Sequence, residues 1–315
     1  MRLIATAVVV LVAGSLCVSA AEHGLANVRI PRGVKADAIV QHHSLIPPLL
    51  EEYWSAGLHH WDFGGAAAVT DEYVRLTPNK QSREGYLWND QPSHLNSWTV
   101  FLGFRLHSPS SLGGDGFAMW YTDGAKTEGG PLFGHPEKPR GLGIIFDTFD
   151  NNGLKDNPTV SVIVGDGTET FRTDNDLQDQ RLGGCSFNFR NSDKNDIIQA
   201  IIEYSGDSLK ILLASHTQKL ACATISPLSL PDGNYFGLTS HTGHLADNND
   251  IHHFIVTAPK EDRLRDEQEM AKNAPGAKRN GQYVPPDQKK ESAANMFSPF
   301  DHHAEREEKE KHKAR

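Results

Sequence analysis

The chain has 315 residues, 38% of them hydrophobic, and a formal net charge of -9 at pH 7. That length suits one large domain or two small ones, and a single β-sandwich of about 200–250 residues lies within it. The negative charge, with no basic stripe, C2H2 zinc spacing or RNP-type aromatic signature, argues against a nucleic-acid partner.

The first residues read as a leader. Arg2 precedes the apolar run LIATAVVVLVAGSLCV, and small residues around Ala20 and Ala21 offer a cleavage site. This is the order of a secretory signal peptide over residues 1–20. A signal-anchor helix is the competing reading, for which the run is short against the ~20 residues a span needs. No later stretch reads as a membrane span. Cys17 leaves with the leader, and Cys185 and Cys222 remain, an even pair suited to an oxidising compartment. A bridge between them closes a loop of about 37 residues, roughly 4 kcal/mol by chain entropy. Two free buried thiols are the alternative.

Residues 21–42 read as an irregular N-terminal arm, and 43–258 as strands and turns. WTVFLGFRL (98–106) alternates in the manner of a half-buried strand. FAMWY (117–121), LGIIF (142–146), VSVIV (160–164), IIQAIIEY (197–204), LKILLA (209–214), YFGLTS (235–240) and HFIVT (253–257) are similar, with Gly, Asn, Asp and Pro clusters between them. Many short strands with such turns predict an all-β sandwich or barrel. Residues 259–315 are charged and poor in large apolar groups. EDRLRDEQEMAKNA (261–274) can form one short helix, and the rest of this tail is expected to be disordered. Lys311 and Lys313 in the closing KHKAR are spaced like a dilysine retrieval signal, but with no span they read as chance charge.

One stretch asks for more than a turn. IIFDTFDNNGLKDNP (144–158) runs from an apolar strand into Asp147, Asp150, Asn151, Asn152, Asp156 and Asn157, with Gly153 as a pivot. Hard cations such as Ca2+ take six to eight oxygens from groups of this kind. Asp147, Phe149 and Asn151, spaced by two, can offer a side chain, a backbone carbonyl and a side chain to one ion. The loop is no EF-hand, because Pro158 stands at the twelfth position, and it lacks the His and Cys of zinc sites. A solvated Asx-rich turn is the other reading. Enzyme motifs are missing: there is no H-E-x-x-H, no G-x-S-x-G and no strand with the E-x-D-x-E acid pair of sandwich glucanases. The His-rich stretch HTGHLADNNDIHH (241–253) fits no zinc spacing and reads as solvated loop histidines.

HSLIPP (43–48), WDFGG (61–65), VRLTPNKQSREGYLWN (74–89), GGDGFAMWYT (113–122), GLGIIFDTFDNNG (141–153), LGGC (182–185) and FGLTSHTGHLADNND (236–250) together resemble a known family. It is the leguminous-type lectin domain of animal cargo lectins of the early secretory pathway. The resemblance covers roughly 43–257. It implies a legume-lectin-like, concanavalin-like antiparallel β-sandwich jelly roll that binds Ca2+ and captures high-mannose glycans on glycoproteins in the endoplasmic reticulum, the ER–Golgi intermediate compartment and the Golgi. It is not an enzyme family.

By resemblance the calcium ligands fall on Asp147, the Phe149 carbonyl, Asn151 and Asp176. Asp150, Asn152, Asp156 and Asn157 would serve a second, weaker cation. The mannose contacts fall on Ser82, Asp115 and Asn151, completed by Gly243, His244 and Leu245. The family disulfide falls on Cys185 and Cys222. One position departs: the family histidine three residues before the aspartate is here Thr173, which puts glycan preference and pH response in question. The competing functional readings are a sugar-free protein-interaction scaffold on the lectin fold, a glycan hydrolase on the same sandwich, and an oligomeric or membrane-tethered receptor whose anchor lies outside this chain.

Overall fold

The computed structural model describes residues 31, 33–50, 58–123, 129–192 and 196–273. Residues 1–20, expected as a leader, residues 21–30 and 32 of the expected arm, and residues 274–315 of the expected tail lie outside the described residues.

Fourteen strands are described: β1 (Trp61–Gly65), β2 (Ala68–Val69), β3 (Val74–Thr77), β4 (Arg83–Asn89), β5 (Trp98–His107), β6 (Gly116–Thr122), β7 (Arg140–Asp147), β8 (Thr159–Asp166), β9 (Gly183–Ser186), β10 (Ile198–Tyr204), β11 (Leu209–Ala214), β12 (Lys219–Ile225), β13 (Tyr235–Thr242) and β14 (Asn248–Thr257). They form two seven-stranded sheets. The front sheet runs β1-β4-β13-β6-β7-β8-β9 and the back sheet β12-β11-β10-β5-β14-β3-β2. The paired strands are antiparallel throughout, as β6 with β7 and β5 with β14. The expected all-β sandwich is what the chain forms.

The core lies between the sheets. Phe117 and Phe146, opposite one another in register, stack at 4.5 Å, and Phe104 of the back sheet meets them edge-on at 5.0 and 4.9 Å. Each such buried side chain contributes about 1.5–3 kcal/mol relative to exposure. A second apolar cluster occupies the other face of the front sheet: Trp88, Trp120, Ile145 and Ile163 beneath Leu132, Phe133, Phe171 and Leu177 of two overlying loops. The front sheet is therefore covered on both faces in its middle. β6 is buried along its whole length and β7 beyond Arg140. Two-sided burial explains why FAMWY and LGIIF read as continuous apolar runs and not as alternation.

Cys185 on β9 and Cys222 on β12 are bridged, joining the lateral edge of one sheet to that of the other. In the described part of the arm, Ile39 and Val40 are buried, and the Val40 N–H donates to the Val256 carbonyl. Short 3-10 turns span Ala36–Ala38 and Gln41–His43.

After β14 comes helix α1 (Lys260–Asn273). The compact unit holding both sheets ends within it, at Asp266. Asp262 accepts from the Ser97 hydroxyl at 2.6 Å and from the Ser97 N–H at 3.1 Å, and Asp266 accepts the His94 N–H at 2.6 Å. Of the second unit, residues 267–273 are described, and they continue the helix with a Lys272–Glu269 ion pair. No helix among the described residues is long and apolar enough to cross a membrane.

Candidate functional site

Strand register alone gathers the site. Along one end of the front sheet, Arg83 pairs with Thr242, His241 with Gly116, Gly116 with Asp147, and Asp147 with Thr159. The residues just beyond these strand ends therefore emerge side by side: Ser82, Gly243, Asp115 and the 148–158 loop. The Ser82 N–H donates to the Gly243 carbonyl (3.1 Å), and the Thr148 N–H donates to the Asp115 carbonyl (2.9 Å). A cleft of about 530 Å³ opens there, lined by Glu84, Asp115, Gly130, Pro131, Phe133, Asp147, Phe149, Asn151, Thr173 and His241.

Gly243 forms one lip. A Cβ at that position would stand 3.3 Å from Asp115 Oδ1, so glycine allows the close approach of loop and carboxylate. Gln81 Nε2 donates to the His244 carbonyl at 2.7 Å, and the His244 side chain faces solvent. Leu245 packs beside Gly114. Asp176 arrives from the loop that Phe171 and Leu177 pin to the outer face of the sheet, and that loop also carries Thr173.

Asp147 is 4% exposed and Asp176 3%. Burial holds the Asp147 carboxyl well above the usual carboxylate range, against the Phe149 N–H it accepts, and the charges of Asp176, Asp115 and Asp150 push the same way. Asp176 is raised too, first by burial, although the Asn151 and Asn152 N–H groups donate to it at 3.1 and 3.3 Å. The charges of Asp150 and Asp156 also raise Asp176, and buried carboxylates held among other acids are an electrostatic cost that a bound cation relieves. Asp156 Oδ1 and Asn157 Oδ1 are buried with no hydrogen-bond partner, while Asn157 Nδ2 donates to the Phe149 carbonyl at 2.7 Å. The end of the Asn151 amide lies 3.1 Å from Asp176 Oδ1 and 3.3 Å from the Thr173 carbonyl. With nitrogen there, the amide donates to both. With oxygen there, three oxygens converge as a hard cation requires, and the nitrogen turns away. The donor set is all oxygen and fits a Ca2+-type ion.

The proposed weaker set divides. Asp150 accepts the Gly153 and Lys155 N–H groups at 2.6 and 3.0 Å, and Asn152 accepts that of Leu154 at 2.8 Å, so these two close the turn. Asp156 and Asn157 keep the unpartnered oxygens.

Sequence reasoning missed His241, Glu84 and Phe133 in the cleft. His241 Nδ1 lies 2.6 Å from Asp115 Oδ2, and Nε2 lies 4.0 Å from Glu84 Oε1. The Asp115 hydrogen bond raises the His241 pKa above its ordinary value, against partial burial, and the charges of Asp115 and Glu84 add to it. The signal was present: β13 alternates, so His241 shares the outer face with Thr239, which bonds Trp120 and the Phe133 carbonyl. The reading of 241–253 as solvated loop histidines is corrected. His241 lies on β13, His252 and His253 on β14, and buried His253 bonds Gln199 at 2.9 Å, its pKa pushed down to about 4 by burial. His244 alone of the four is an exposed loop residue. Sequence also missed the pair beneath the site. Arg190 Nε and Nη2 each donate to Asp247 at 2.9 Å, and Asp247 Oδ2 accepts the Gly114 N–H (3.2 Å) and the Thr148 hydroxyl (3.3 Å).

The model of the legume-like lectin family matches residues 36–263. The chain belongs to the legume-like lectin family. Vesicular integral-membrane protein VIP36 of Mus musculus is 35% identical over 222 residues, 69% of this chain and 61% of the relative. Protein ERGIC-53 of Mus musculus is 31% identical over 62% of this chain and 38% of its own length. The chain thus spans less than two thirds of the length of these curated relatives. The exoplasmic/lumenal domain of VIP36, solved with Ca2+ and Man2, superposes with a TM-score of 0.66 at 33% identity, covering 71% of this chain and 91% of that one. The same domain solved metal-free gives 0.65 at 34% identity, covering 70% and 93%. The sandwich of this lectin-family chain is thereby a legume-lectin-like fold. The family is one of lectins, and the chain is not an enzyme; the hydrolase alternative falls with that assignment.

Proposed function

We propose that the chain is a calcium-dependent lectin that binds high-mannose N-glycans on glycoproteins in the lumen of the early secretory pathway, as a cargo receptor or quality-control binder. The observation that carries this is the convergence of Asp115, the Asn151 amide and the Ser82–Gly243 lip on one cleft, with an all-oxygen cation loop directly behind Asn151. A sugar offers hydroxyls that donate and accept. Asp115 Oδ1 accepts from them, Asn151 Nδ2 donates to them, and the Gly243–Leu245 backbone closes the pocket. Bound Ca2+ supplies the charge that keeps Asp147 and Asp176 ionised and fixes the loop. Asn151 is then ordered before the sugar arrives. VIP36 has been solved with Man2 and with Man3GlcNAc, both with Ca2+, which supports the same ligand class here.

Glycan-array binding with and without chelator tests the reading. High-mannose binding that disappears with chelator supports it, as does its loss in Asp115→Ala with the melting temperature kept. Asp147→Ala loses calcium and sugar together; full calcium affinity in that variant would overturn the loop assignment. A second reading, a lectin-fold scaffold that binds protein and not sugar, draws on two observations: His241 already engages Asp115 Oδ2, and Thr173 replaces the family histidine. Glycan-independent capture of a partner, with no glycan binding at any pH, would establish it instead.

A further inference from the structure

A second cluster of metal-capable side chains lies away from the cleft, where the 3-10 turn Gln41–His43 meets α1. His42 Nε2 stands 2.6 Å and His43 Nε2 3.2 Å from the same oxygen, Asp266 Oδ2, and the three donor atoms lie within 4.8 Å of one another. The His43 and Asp266 side chains are fully buried, and that of His42 is 17% exposed.

The hydrogen bonding around His43 is directional. Asn89 Nδ2 donates to the His42 and His60 carbonyls at 2.8 and 2.9 Å, so its Oδ1 is turned to His43 Nδ1 at 2.9 Å and accepts that ring N–H. His43 Nε2 then carries the lone pair. It is fully buried, 3.2 Å from Asp266 Oδ2 and outside hydrogen-bond geometry. An imidazole lone pair aimed at a carboxylate oxygen is repulsive unless a cation sits between them. The outer oxygen, Asp266 Oδ1, is held by the His94 N–H, which fixes the carboxylate. A ligating histidine whose other nitrogen donates to a carbonyl oxygen is the usual second-layer support of a metal.

We infer that His42, His43 and Asp266 form a site for a zinc-type divalent cation. Two imidazole nitrogens and one carboxylate oxygen make a three-residue set suited to tetrahedral Zn2+, with water in the fourth position on the partly exposed His42 side. Donors around such an ion stand roughly 3.3 Å apart, by the geometry of bonds of about 2.0–2.1 Å. The His43–Asp266 separation already matches this, and the His42–Asp266 pair opens slightly. Ca2+ does not compete, since it requires six to eight oxygens. The ion joins the segment entering the sandwich to the helix leaving it, across 224 positions of sequence.

The test is Zn2+ binding to the full chain held in saturating Ca2+, compared with His42→Ala. His302, His303 and His312 of the tail are common to both proteins and cancel in the difference. The wild type is expected to bind one more Zn2+ than the variant, at least tenfold more tightly, and to show a four-coordinate visible spectrum when Co2+ replaces it. Glycan binding should be equal in the two. His43→Gln should lose the same ion; if it fails to fold, His42→Ala, at the exposed side, still decides. Equal zinc stoichiometry and affinity in wild type and His42→Ala would overturn the site. So would a wild type in which His43 Nε2 takes a proton and no zinc is retained.

Discussion

Replacing Asp147 by Asn should stabilise the calcium-free protein and destabilise the calcium-loaded one relative to wild type. In the absence of metal, a carboxylate that is 4% exposed sits among Asp176, Asp115 and Asp150, and asparagine removes its charge while still accepting the Phe149 N–H. The folded-state pKa of Asp147 lies above its unfolded value. The folded protein therefore holds the extra proton between the two, and calcium-free wild-type stability rises as pH falls from the raised value toward about 3.9. The variant should lack that rise. With calcium, linkage gives the wild type about 2.7 kcal/mol at a hundredfold excess of free ion over Kd. For a domain the size of residues 36–263, that is about 5–11 °C in melting temperature, and the variant should forfeit most of it. Scanning calorimetry with calcium and with chelator reads both signs. A calcium-free variant that melts below calcium-free wild type, or one that keeps the full calcium shift, would refute the buried-charge argument.

Protonated His241 clamps Asp115 Oδ2, so glycan retention by the wild type should weaken as pH falls through a value above about 6.5, and His241→Ala should flatten that profile. A wild-type profile unchanged in His241→Ala would remove His241 from the pH response. Arg190→Met leaves Asp247 buried and unpaired, which should cost about 3–5 kcal/mol in urea unfolding; a change within about 0.5 kcal/mol would show that the pair carries little. Cys222→Ser releases a loop of 37 residues and should cost about 2–4 kcal/mol in non-reducing denaturation. Adding reductant should then change the wild type and leave the variant unmoved.

The strands that sequence finds most readily are those whose surroundings are uniform. β5 alternates because its faces differ, while β6 and β7 are continuous because both faces are covered. β1, β4, β9 and β12 carry glycines or exposed charges, as in WDFGG, REGYLWN and GGCS, and their local pattern is too weak to read. The oxygen-rich 147–157 loop was legible from composition, since a concentration of carboxylates and amides is a local property. The Asp115–His241 contact and the Arg190–Asp247 pair were not. They join residues 126 and 57 positions apart, and register decides which of them meet. The helix read at 261–274 is found as α1 (Lys260–Asn273), but its packing was not legible, for a related reason. Asp262 and Asp266 look like solubilising acids, yet they are buried as acceptors for backbone N–H groups at Ser97 and His94.

The loop bearing Thr173 and Asp176 rests on the outer face of the front sheet through Phe171 and Leu177, not through the sandwich core. It behaves as a cartridge clipped on by two apolar studs. Thr173, between the studs, takes no part in strand pairing, so a substitution there leaves the sheets undisturbed, whereas Asp176 beside it is tied to the Asn151 and Asn152 N–H groups. The rim of the cleft is in this way separable from the framework: the sheets set where it stands, and the clipped-on loop sets what it presents.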